Sequence, residues 1–164
     1  MQYFLLGYMG SGKSTLGNAL SAHFGVAFID LDERVTAAIG MDIAAFIELK
    51  GELAFRKIEH TVLENLLAAQ EKDAVIALGG GTPVFYNHMD VLNAAGTTVF
   101  LDVSVVELSR RLEGDVQRPL IKGKDDLTEF IAKHLFERRP FYSKAKHRVK
   151  GDALDLASVL ECLA

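Results

Sequence analysis

Short apolar runs of strand length alternate along the chain with longer stretches in which apolar residues recur at the helical period. The runs are continuous, so both faces of each strand are expected to be buried, as in a parallel sheet that helices cover on both sides. A fifth run, near Arg148 and Val149, is weaker than the other four. The four clear ones are residues 3–6, 26–29, 74–78 and 97–101. The pattern predicts an α/β fold of repeated strand and helix units around five parallel strands.

The longest helical pattern covers residues 42–69, and Gly51 predicts a break or bend within it. One apolar face is expected to pack on the sheet, and it carries Phe55, Ile58 or Glu59, Val62 and Leu66. The least regular stretch is EGDVQRPLIKGKDD, residues 113–126, in which glycines flank an Arg-Pro pair. Loops of this length inside a compact domain are often lids, so a mobile lid is expected there.

At 164 residues with 49% apolar content, the chain suits one hydrophobic core, which predicts a single domain over residues 1–164. It has no run of about 18 apolar residues and no basic start before a short apolar segment, so neither a membrane span nor a signal peptide is expected. Cys162 is the only cysteine, which excludes an internal disulfide and fits a reducing compartment. We therefore expect a soluble, cytoplasmic protein with no membrane partner.

Charge is unevenly distributed along the chain. The net charge is -4, which gives no support for nucleic-acid binding, so no nucleic-acid partner is expected. Residues 105–150 nevertheless carry twelve lysines and arginines against seven acidic residues, whereas the rest of the chain carries six against fifteen. This basic segment is either a solvated surface or a segment that meets an anion.

The strongest chemical signal follows the first predicted strand. In GYMGSGKST, four residues separate Gly7 from Gly12-Lys13-Ser14, which fits the Walker A pattern in its required context of strand, glycine-rich turn and helix start. Glycines let successive N–H groups converge on an anion, the helix adds its positive dipole end, and the lysine reaches the β and γ phosphates. The predicted nucleotide-binding residues are Gly10, Ser11, Gly12, Lys13, Ser14 and Thr15, with the Ser14 hydroxyl as a direct Mg²⁺ ligand. The alternative is a glycine-rich turn without a ligand.

Three aspartates are candidates for the carboxylate on the metal side. Asp30 and Asp32 follow the second predicted strand, and in extended backbone both would point to one side, which could face the phosphates. The segment also fits a helix start, with Asp30 as cap and Glu33 in a capping box. Asp102, next to Ser104, has the position of a helix-start acid and is the rival Mg²⁺ candidate.

A second group of residues suits another anion. Arg56 lies beside the apolar face of the long helical region, with Glu59 one turn on and near enough to hold its guanidinium. A lone arginine there is alternatively a surface side chain that snorkels past the core. Arg138 and Arg139 precede Pro140, which bends or interrupts a helix and could aim one of the two inward. Two arginines from distant segments suit a carboxylate or phosphate, because each donates a planar pair of hydrogen bonds.

Three consecutive glycines, Gly79, Gly80 and Gly81, follow the third predicted strand. They would let backbone approach a ligand without side-chain collision at the carboxyl end of a strand, where α/β sheets place their sites. The alternative is a tight turn, which one glycine would satisfy.

Six motifs, taken in order, resemble those of shikimate kinases and span residues 7–142. They are GYMGSGKST, Asp30-x-Asp32, Phe55-Arg56-x-x-Glu59, Gly79-Gly80-Gly81, Arg118-Pro119-Leu120 and Glu137-Arg138-x-Pro140-x-Tyr142. The resemblance implies a three-layer P-loop fold of the nucleoside-monophosphate-kinase type with strand order 2-3-1-4-5. It also implies ATP-dependent phosphorylation of the 3-hydroxyl of shikimate, in aromatic amino-acid synthesis, by a monomer.

The resemblance further implies roles for individual residues. Lys13, Asp32 and Arg118 would be catalytic, with Arg118 reaching the transferred phosphoryl group from the lid. Arg111 would lie against adenine, and Asp30 would assist Mg²⁺ through water, which favours it over Asp102. A substrate-binding helical region would cover about residues 31–62. The shikimate-binding residues would be Asp32, Arg56, Gly79, Gly80, Gly81 and Arg138, with both arginines on the carboxylate.

Departures and rival functions stay open at this point. Residues 150–153 lack the arginine that often helps to hold adenine, and Arg139 competes with Arg138 as carboxylate ligand. Another small P-loop kinase, acting on gluconate or a nucleoside monophosphate, would accept a similarly anionic or hydroxyl-rich molecule. A nucleotide-dependent switch is the rival of another class, but it has no use for Arg56, the triple glycine or Arg138.

Overall fold

The computed structural model describes residues 1–69, 73–113 and 126–164. In this part of the chain, five strands form one sheet in the order β2-β3-β1-β4-β5, with every neighbouring pair parallel. The strands are β1 (Gln2–Leu6), β2 (Ala27–Asp30), β3 (Ala74–Ala77), β4 (Thr97–Asp102) and β5 (His147–Lys150). The predicted class, strand number and strand order are confirmed, and no strand end differs from the four clear apolar runs by more than one residue.

Burial of each strand follows its place in the sheet. β3 lies between two neighbours and is buried at all four positions. β5 lies at an edge and buries only Val149, while its other residues are partly or fully exposed. Because an edge strand has one partner and one open side, fewer of its positions need to be apolar. The fifth run can therefore be weak in the sequence, although β2 at the other edge has an apolar run and also buries only one residue, Ile29.

Helices cover both faces of the sheet. On one face, Leu16 and Leu20 of α1 and Val159 of α8 pack with Leu5 and Val75 of the sheet. On the other face, a larger apolar cluster includes residues of α2, α4, α5, α6 and α7. The helices are α1 (Lys13–Phe24), α2 (Leu31–Ile39), α3 (Ile43–Lys50), α4 (Glu52–Ala68), α5 (His88–Ala95), α6 (Val105–Leu112), α7 (Leu127–Tyr142) and α8 (Leu156–Leu163). The predicted three-layer arrangement is confirmed.

The long helical region is interrupted at Gly51, as predicted. α3 ends before this glycine, which has a φ of 88°, and α4 begins after it. The predicted buried face of α4 needs a correction. Phe55, Glu59 and Leu66 are buried, but Leu63 replaces Val62, which is only half-buried. Arg56 is also buried, so the inward face of α4 is partly charged.

None of the described helices is long and apolar enough to cross a membrane. The predicted lid over residues 113–126, including Arg118, lies outside the described residues apart from its two ends.

Candidate active site

The phosphate loop connects β1 to α1 through backbone conformations that glycine adopts most readily. Gly10 and Gly12 have φ angles of 79° and 95°, in the left-handed region. A Cβ at Gly7 would lie 2.8 Å from the carbonyl oxygen of Leu101. α1 begins at Lys13, and no described side chain caps its first turn. The N–H groups of this turn and the helix dipole therefore form an anion-binding end.

A cavity of about 550 Å³ opens beside this loop. The Lys13 ammonium lies at its wall and donates to the carbonyl oxygens of Gly7 and Tyr8, both 3.0 Å away. The full lining is Met9, Gly10, Gly12, Lys13, Ser14, Thr15, Asp30, Asp32, Ala77, Leu78, Gly80 and Arg111. Ser11 is buried below the loop, and its Oγ has no hydrogen-bond partner in the described part of the chain. The structure thus gathers most of the predicted nucleotide residues around one cavity.

Asp30 both caps a helix and contacts the phosphate loop. Its Oδ1 accepts a hydrogen bond from the Asp32 N–H at 3.0 Å, and its Oδ2 accepts one from the Ser14 hydroxyl at 3.0 Å. The predicted cap is therefore present, although the bond goes to the second residue of α2. Ser14 and Asp30 place two hard oxygen donors side by side, which are the ligand atoms that Mg²⁺ prefers.

Asp32 reaches the cavity from a helix start, which is the second of the two arrangements that the sequence allows. β2 ends at Asp30 and α2 begins at Leu31, so the idea of two aspartates in extended backbone is wrong. The first turn of α2 still directs Asp32 to the same cavity. Burial raises the pKa of Asp32, the nearby Asp30 charge raises it further, and Lys13 partly offsets both. This carboxylate is therefore a stronger base than an exposed aspartate.

Asp102 is engaged by two arginines away from the phosphate loop. It is buried at the end of β4 and accepts a hydrogen bond from Arg148 Nε at 2.8 Å and a second one from Arg148 Nη2. Arg139 Nη2 lies 3.5 Å from its other oxygen. The helix start predicted for Asp102 is capped by Ser104 instead, whose Oγ accepts from the Glu107 N–H at 3.2 Å. Asp102 does not line the cavity of the phosphate loop.

Arg56 is held inside the protein by carboxylates and aromatic rings. Its Nη1 donates to Glu59 Oε1 at 2.9 Å, and its Nη2 donates to Glu52 Oε1 at 3.3 Å. The guanidinium carbon lies 4.5 Å from the ring centroid of Phe85. Arg56 is only 7% exposed, and its Nε has no hydrogen-bond partner among the residues that the structure describes. The predicted contact between Arg56 and Glu59 is confirmed.

Of the two neighbouring arginines on α7, only Arg138 points inward. It is 8% exposed, whereas the side chain of Arg139 is 43% exposed and lies near Asp102. Pro140 does not interrupt α7, which continues to Tyr142. The sequence is compatible with either arginine as the inward one, and burial distinguishes them.

The triple glycine lies between the groups predicted to bind the acceptor. A Cβ on Gly79 would lie 2.9 Å from Asp32 Oδ1, and one on Gly80 would lie 2.9 Å from Arg138 Nη1. A Cβ on Gly81 would collide with the guanidinium of Arg56. Gly81 has a φ of -92°, which any residue adopts, so close approach and not backbone freedom requires a glycine there.

Arg111 connects the phosphate loop to the C-terminal segment. Its Nη1 donates to the carbonyl oxygen of Gly10 at 3.0 Å, and its Nη2 donates to that of Asp152 at 2.6 Å. Glu107 accepts from its Nε at 2.7 Å. The side chain is thus fixed at one wall of the cavity, beside the C-terminal stretch that lacks an arginine.

Several hydrogen bonds at the site could not be predicted from the sequence. The Tyr8 hydroxyl lies 3.0 Å from His134 Nδ1, on a residue 126 positions away. The Tyr142 hydroxyl donates to the Gly80 carbonyl at 2.6 Å, and the Thr82 hydroxyl donates to Glu59 Oε2 at 2.8 Å. Spacing along the chain carries no signal for such contacts, because they depend on how separate elements pack.

A nucleotide cavity that adjoins a buried arginine site on this sheet defines a P-loop kinase of small molecules, since a nucleotide switch has no use for the second site. A family model described as shikimate kinase matches residues 9–163. A shikimate kinase of Phocaeicola vulgatus is 43% identical over 155 residues, which are 93% of this chain and 87% of that protein. One of Parabacteroides distasonis is 41% identical over 96% of this chain and 95% of that protein. The chain belongs to the shikimate kinase family.

Solved structures agree with this membership. The crystal structure of shikimate kinase from Bacteroides thetaiotaomicron has a TM-score of 0.89 and 38% identity, over 99% of this chain and 94% of that one. Shikimate kinase from Acinetobacter baumannii in complex with shikimate has a TM-score of 0.86 and 29% identity, over 97% of this chain and 87% of that one.

Proposed function

We propose that the protein transfers the γ-phosphoryl group of ATP to the 3-hydroxyl of shikimate, which gives shikimate 3-phosphate and ADP. The observation that carries the proposal is the triple glycine, each member of which lies against a different side chain. The pairs are Gly79 with Asp32, Gly80 with Arg138, and Gly81 with Arg56. Two guanidiniums and a carboxylate around bare backbone suit an acceptor that has both a carboxylate and hydroxyls.

Shikimate meets this requirement, and family membership favours it over gluconate, which has the same two kinds of group. A nucleoside monophosphate would present a phosphate and a base instead. The Acinetobacter baumannii relative is a complex with shikimate. In this proposal the carboxylate of shikimate lies between Arg56 and Arg138, and the burial of both arginines favours a charged partner there.

On the nucleotide side, the backbone of the phosphate loop holds the phosphates of ATP, with Lys13 at the β and γ groups and Arg111 toward adenine. The left-handed glycines and the uncapped start of α1 support this placement.

The residues present fit a magnesium ion. The Ser14 hydroxyl and the Asp30 carboxylate are 3.0 Å apart, and both are oxygen donors. No group of three or more His, Cys, Asp or Glu residues that could hold a metal occurs among the described residues, which suits an ion held largely by nucleotide phosphates and water. Ser14 would bind it directly and Asp30 through water. When bound, Mg²⁺ neutralises charge on the β and γ phosphates.

Phosphoryl transfer requires alignment and charge neutralisation more than covalent chemistry. The 3-hydroxyl oxygen of shikimate attacks the γ phosphorus, the bond from phosphorus to the bridging oxygen of ADP breaks, and the hydroxyl proton passes to the Asp32 carboxylate. The raised pKa of Asp32 makes it a better acceptor for that proton. Lys13 offsets the charge that develops on the leaving ADP. The role of Arg118 at the transferred group stays a prediction, as do the monomeric state, the cytoplasmic location and the absence of a nucleic-acid partner.

A coupled assay of ADP release tests the proposal with ATP, Mg²⁺ and one acceptor at a time. We expect turnover with shikimate to exceed turnover with gluconate or nucleoside monophosphates by at least about a hundredfold, because a mismatched acceptor leaves buried charges unpaired. ADP release no faster with shikimate than without an acceptor would refute the assignment.

A further inference from the structure

A line of hydrogen bonds continues from Arg56 toward the protein surface. Beyond Glu59, the Thr82 hydroxyl donates to Glu59 Oε2 at 2.8 Å, and the Thr82 carbonyl lies 2.8 Å from His88 Nδ1. His88 Nε2 lies 2.9 Å from His60 Nδ1. Glu59 and Thr82 are fully buried, and His88 is 2% exposed. Removing the partner of a buried polar group costs more free energy than removing the partner of an exposed one, so each link constrains the next.

The partner of His88 Nδ1 fixes the hydrogen on that atom. A carbonyl oxygen can only accept, so His88 Nδ1 carries a hydrogen and donates it to Thr82. Burial lowers the pKa of His88, which favours the neutral ring, and its Nε2 then accepts from His60 Nδ1. The titratable groups around the ring are Glu59, His60 and Glu64 of α4, together with Tyr86, whose ring centroid lies 5.7 Å away. His88 is therefore a fixed donor to the loop after β3.

The Thr82 link matters because of the glycine before it. Gly81 precedes the 3-10 turn Thr82–Val84, and its backbone lies against the Arg56 guanidinium. Thr82 is held at its hydroxyl by Glu59 and at its carbonyl by His88. The glycine loop and the arginine are thus positioned by the same short chain of buried groups.

The backbone before His88 is held in an unfavourable conformation. Tyr86 and Asn87 have φ angles of 51° and 56°, and they are the non-glycine residues with positive φ in the described ranges. The Tyr86 ring stacks on the ring of His60, with centroids 4.2 Å apart. Two consecutive left-handed residues persist only where their surroundings hold them, and such strain clusters at functional sites.

We infer that His88 is a positioning residue for the acceptor site: its Nδ1–H group holds the Thr82 carbonyl and, through Thr82 and Glu59, sets Arg56 where the acceptor carboxylate binds. The inference rests on the proposed function of Arg56. His88 does not line the nucleotide cavity, so its loss is expected to lower affinity for the acceptor and to spare ATP binding.

Three substitutions at position 88 separate the donor from the bulk of the ring. His88→Asn keeps an N–H near the place of Nδ1, His88→Gln moves it toward the place of Nε2, and His88→Leu removes it. We expect the Leu and Gln variants to raise KM for shikimate about tenfold, with kcat and KM for ATP within about twofold of wild type. The Asn variant should recover most of the affinity. Steady-state kinetics and calorimetric titration with shikimate measure these values.

Equal losses in all three variants, or an equal rise in KM for ATP, would show that His88 has only a structural role and would overturn the inference. A second pair of variants covers the case in which position 88 tolerates no change. Thr82→Val removes the hydroxyl that Glu59 accepts from, and Thr82→Ser keeps it. The Val variant should bind shikimate about tenfold more weakly than the Ser variant, and equal affinities would contradict the positioning role.

Arg56→Lys distinguishes this inference from the proposed function itself. An unchanged KM for shikimate in that variant would refute the acceptor site as a whole. A large rise for Arg56→Lys together with wild-type behaviour of His88→Leu and Thr82→Val would leave the proposed function standing and overturn only the role of His88.

Discussion

In the proposed function, the phosphate loop and the acceptor site hold anions by different means. The loop is a contiguous stretch that uses backbone N–H groups, left-handed glycines and one lysine. The acceptor site collects side chains from α2, α4 and α7 around the glycines that follow β3. A backbone site is sensitive to conformation, whereas a side-chain site is sensitive to the partners that hold each buried charge. The two should therefore respond differently to substitution.

The largest effect is expected from Lys13→Met, which removes the one side-chain charge of the phosphate loop. We expect kcat to fall about a thousandfold, because an aligned cation stabilises charge that develops only in the transition state. ADP release measures kcat, and thermal unfolding should show a folded protein. A fall of less than tenfold would mean that the backbone alone carries the transition-state charge.

Asp32→Asn tests the group that both regions share. We expect kcat to fall on the order of a hundredfold with ATP affinity retained, because proton acceptance is lost while the phosphate loop is intact. Calorimetric titration with ATP provides the control, and normal turnover would refute the role.

The same substitution is expected to increase stability at neutral pH but not at acid pH. The pKa of Asp32 is raised by burial, so the folded protein binds its proton more tightly than the unfolded chain does. Its ionised form therefore costs stability above the ordinary pKa of aspartate, and the cost disappears as the pH falls below that value. We expect Asp32→Asn to be more stable than wild type at pH 7 and to lose this advantage at acid pH in urea unfolding.

The neighbouring arginines of α7 form a matched pair. Arg138→Gln should raise KM for shikimate by about tenfold to a hundredfold, because a buried charge-assisted contact to the carboxylate is lost. Arg139→Gln should leave it within about twofold, since that side chain is partly exposed and lies near Asp102. Steady-state kinetics with both variants measures the difference, and the reverse result would make Arg139 the ligand.

One glycine from each region, Gly12 and Gly81, tests the difference between the two regions. Gly12→Ala forces a side chain into a φ of 95° and should cost about 1 to 3 kcal/mol of stability. Gly81→Ala has an ordinary φ, but its Cβ collides with the Arg56 guanidinium, so KM for shikimate should rise while KM for ATP stays the same. Urea unfolding and kinetics on both variants check this, and similar profiles for the two would contradict the distinction.

The difference between a contiguous loop and a site assembled from separate helices also decides which features can be predicted from the sequence. The strands and the phosphate loop are predictable because their signals are local: continuous apolar runs and one contiguous motif. Arg56 and Glu59 are predictable because residues three apart meet on a helix. The sequence at Asp32 is compatible with both an extended strand and a helix start, and the Asp30 cap, which ends β2 at Asp30, selects the helix. Contacts such as Thr82 with His88 depend on a turn and a strained backbone that periodicity does not indicate.

A contact between Tyr8 and His134 joins the two regions, next to the guanidinium carbon of Arg138, which lies 5.6 Å from the Tyr8 ring centroid. Tyr8 belongs to the phosphate loop, and His134 precedes Arg138 by one turn of α7. Their polar atoms are 3.0 Å apart. Burial raises the pKa of Tyr8 to about 12 and lowers the pKa of His134 to about 4, with the Arg138 charge also lowering the latter. Both groups are therefore neutral at pH 7, and the contact is an uncharged bridge between the nucleotide and acceptor sides.

The smallest expected effect is the pH dependence of this bridge. Because the pKa of His134 is lowered to about 4, the folded protein binds fewer protons there than the unfolded chain, whose histidine titrates near the ordinary 6.5. The free energy of unfolding should therefore fall as the pH drops through this window, by about 1 kcal/mol for a group that solvent partly screens. His134→Gln cannot titrate, so its loss of stability between pH 7 and pH 5 should be smaller than that of wild type in urea unfolding. His23→Gln, at an exposed histidine outside both regions, is the matched control. If the free energy of unfolding of the two variants depends equally on pH, His134 does not cause the acid sensitivity.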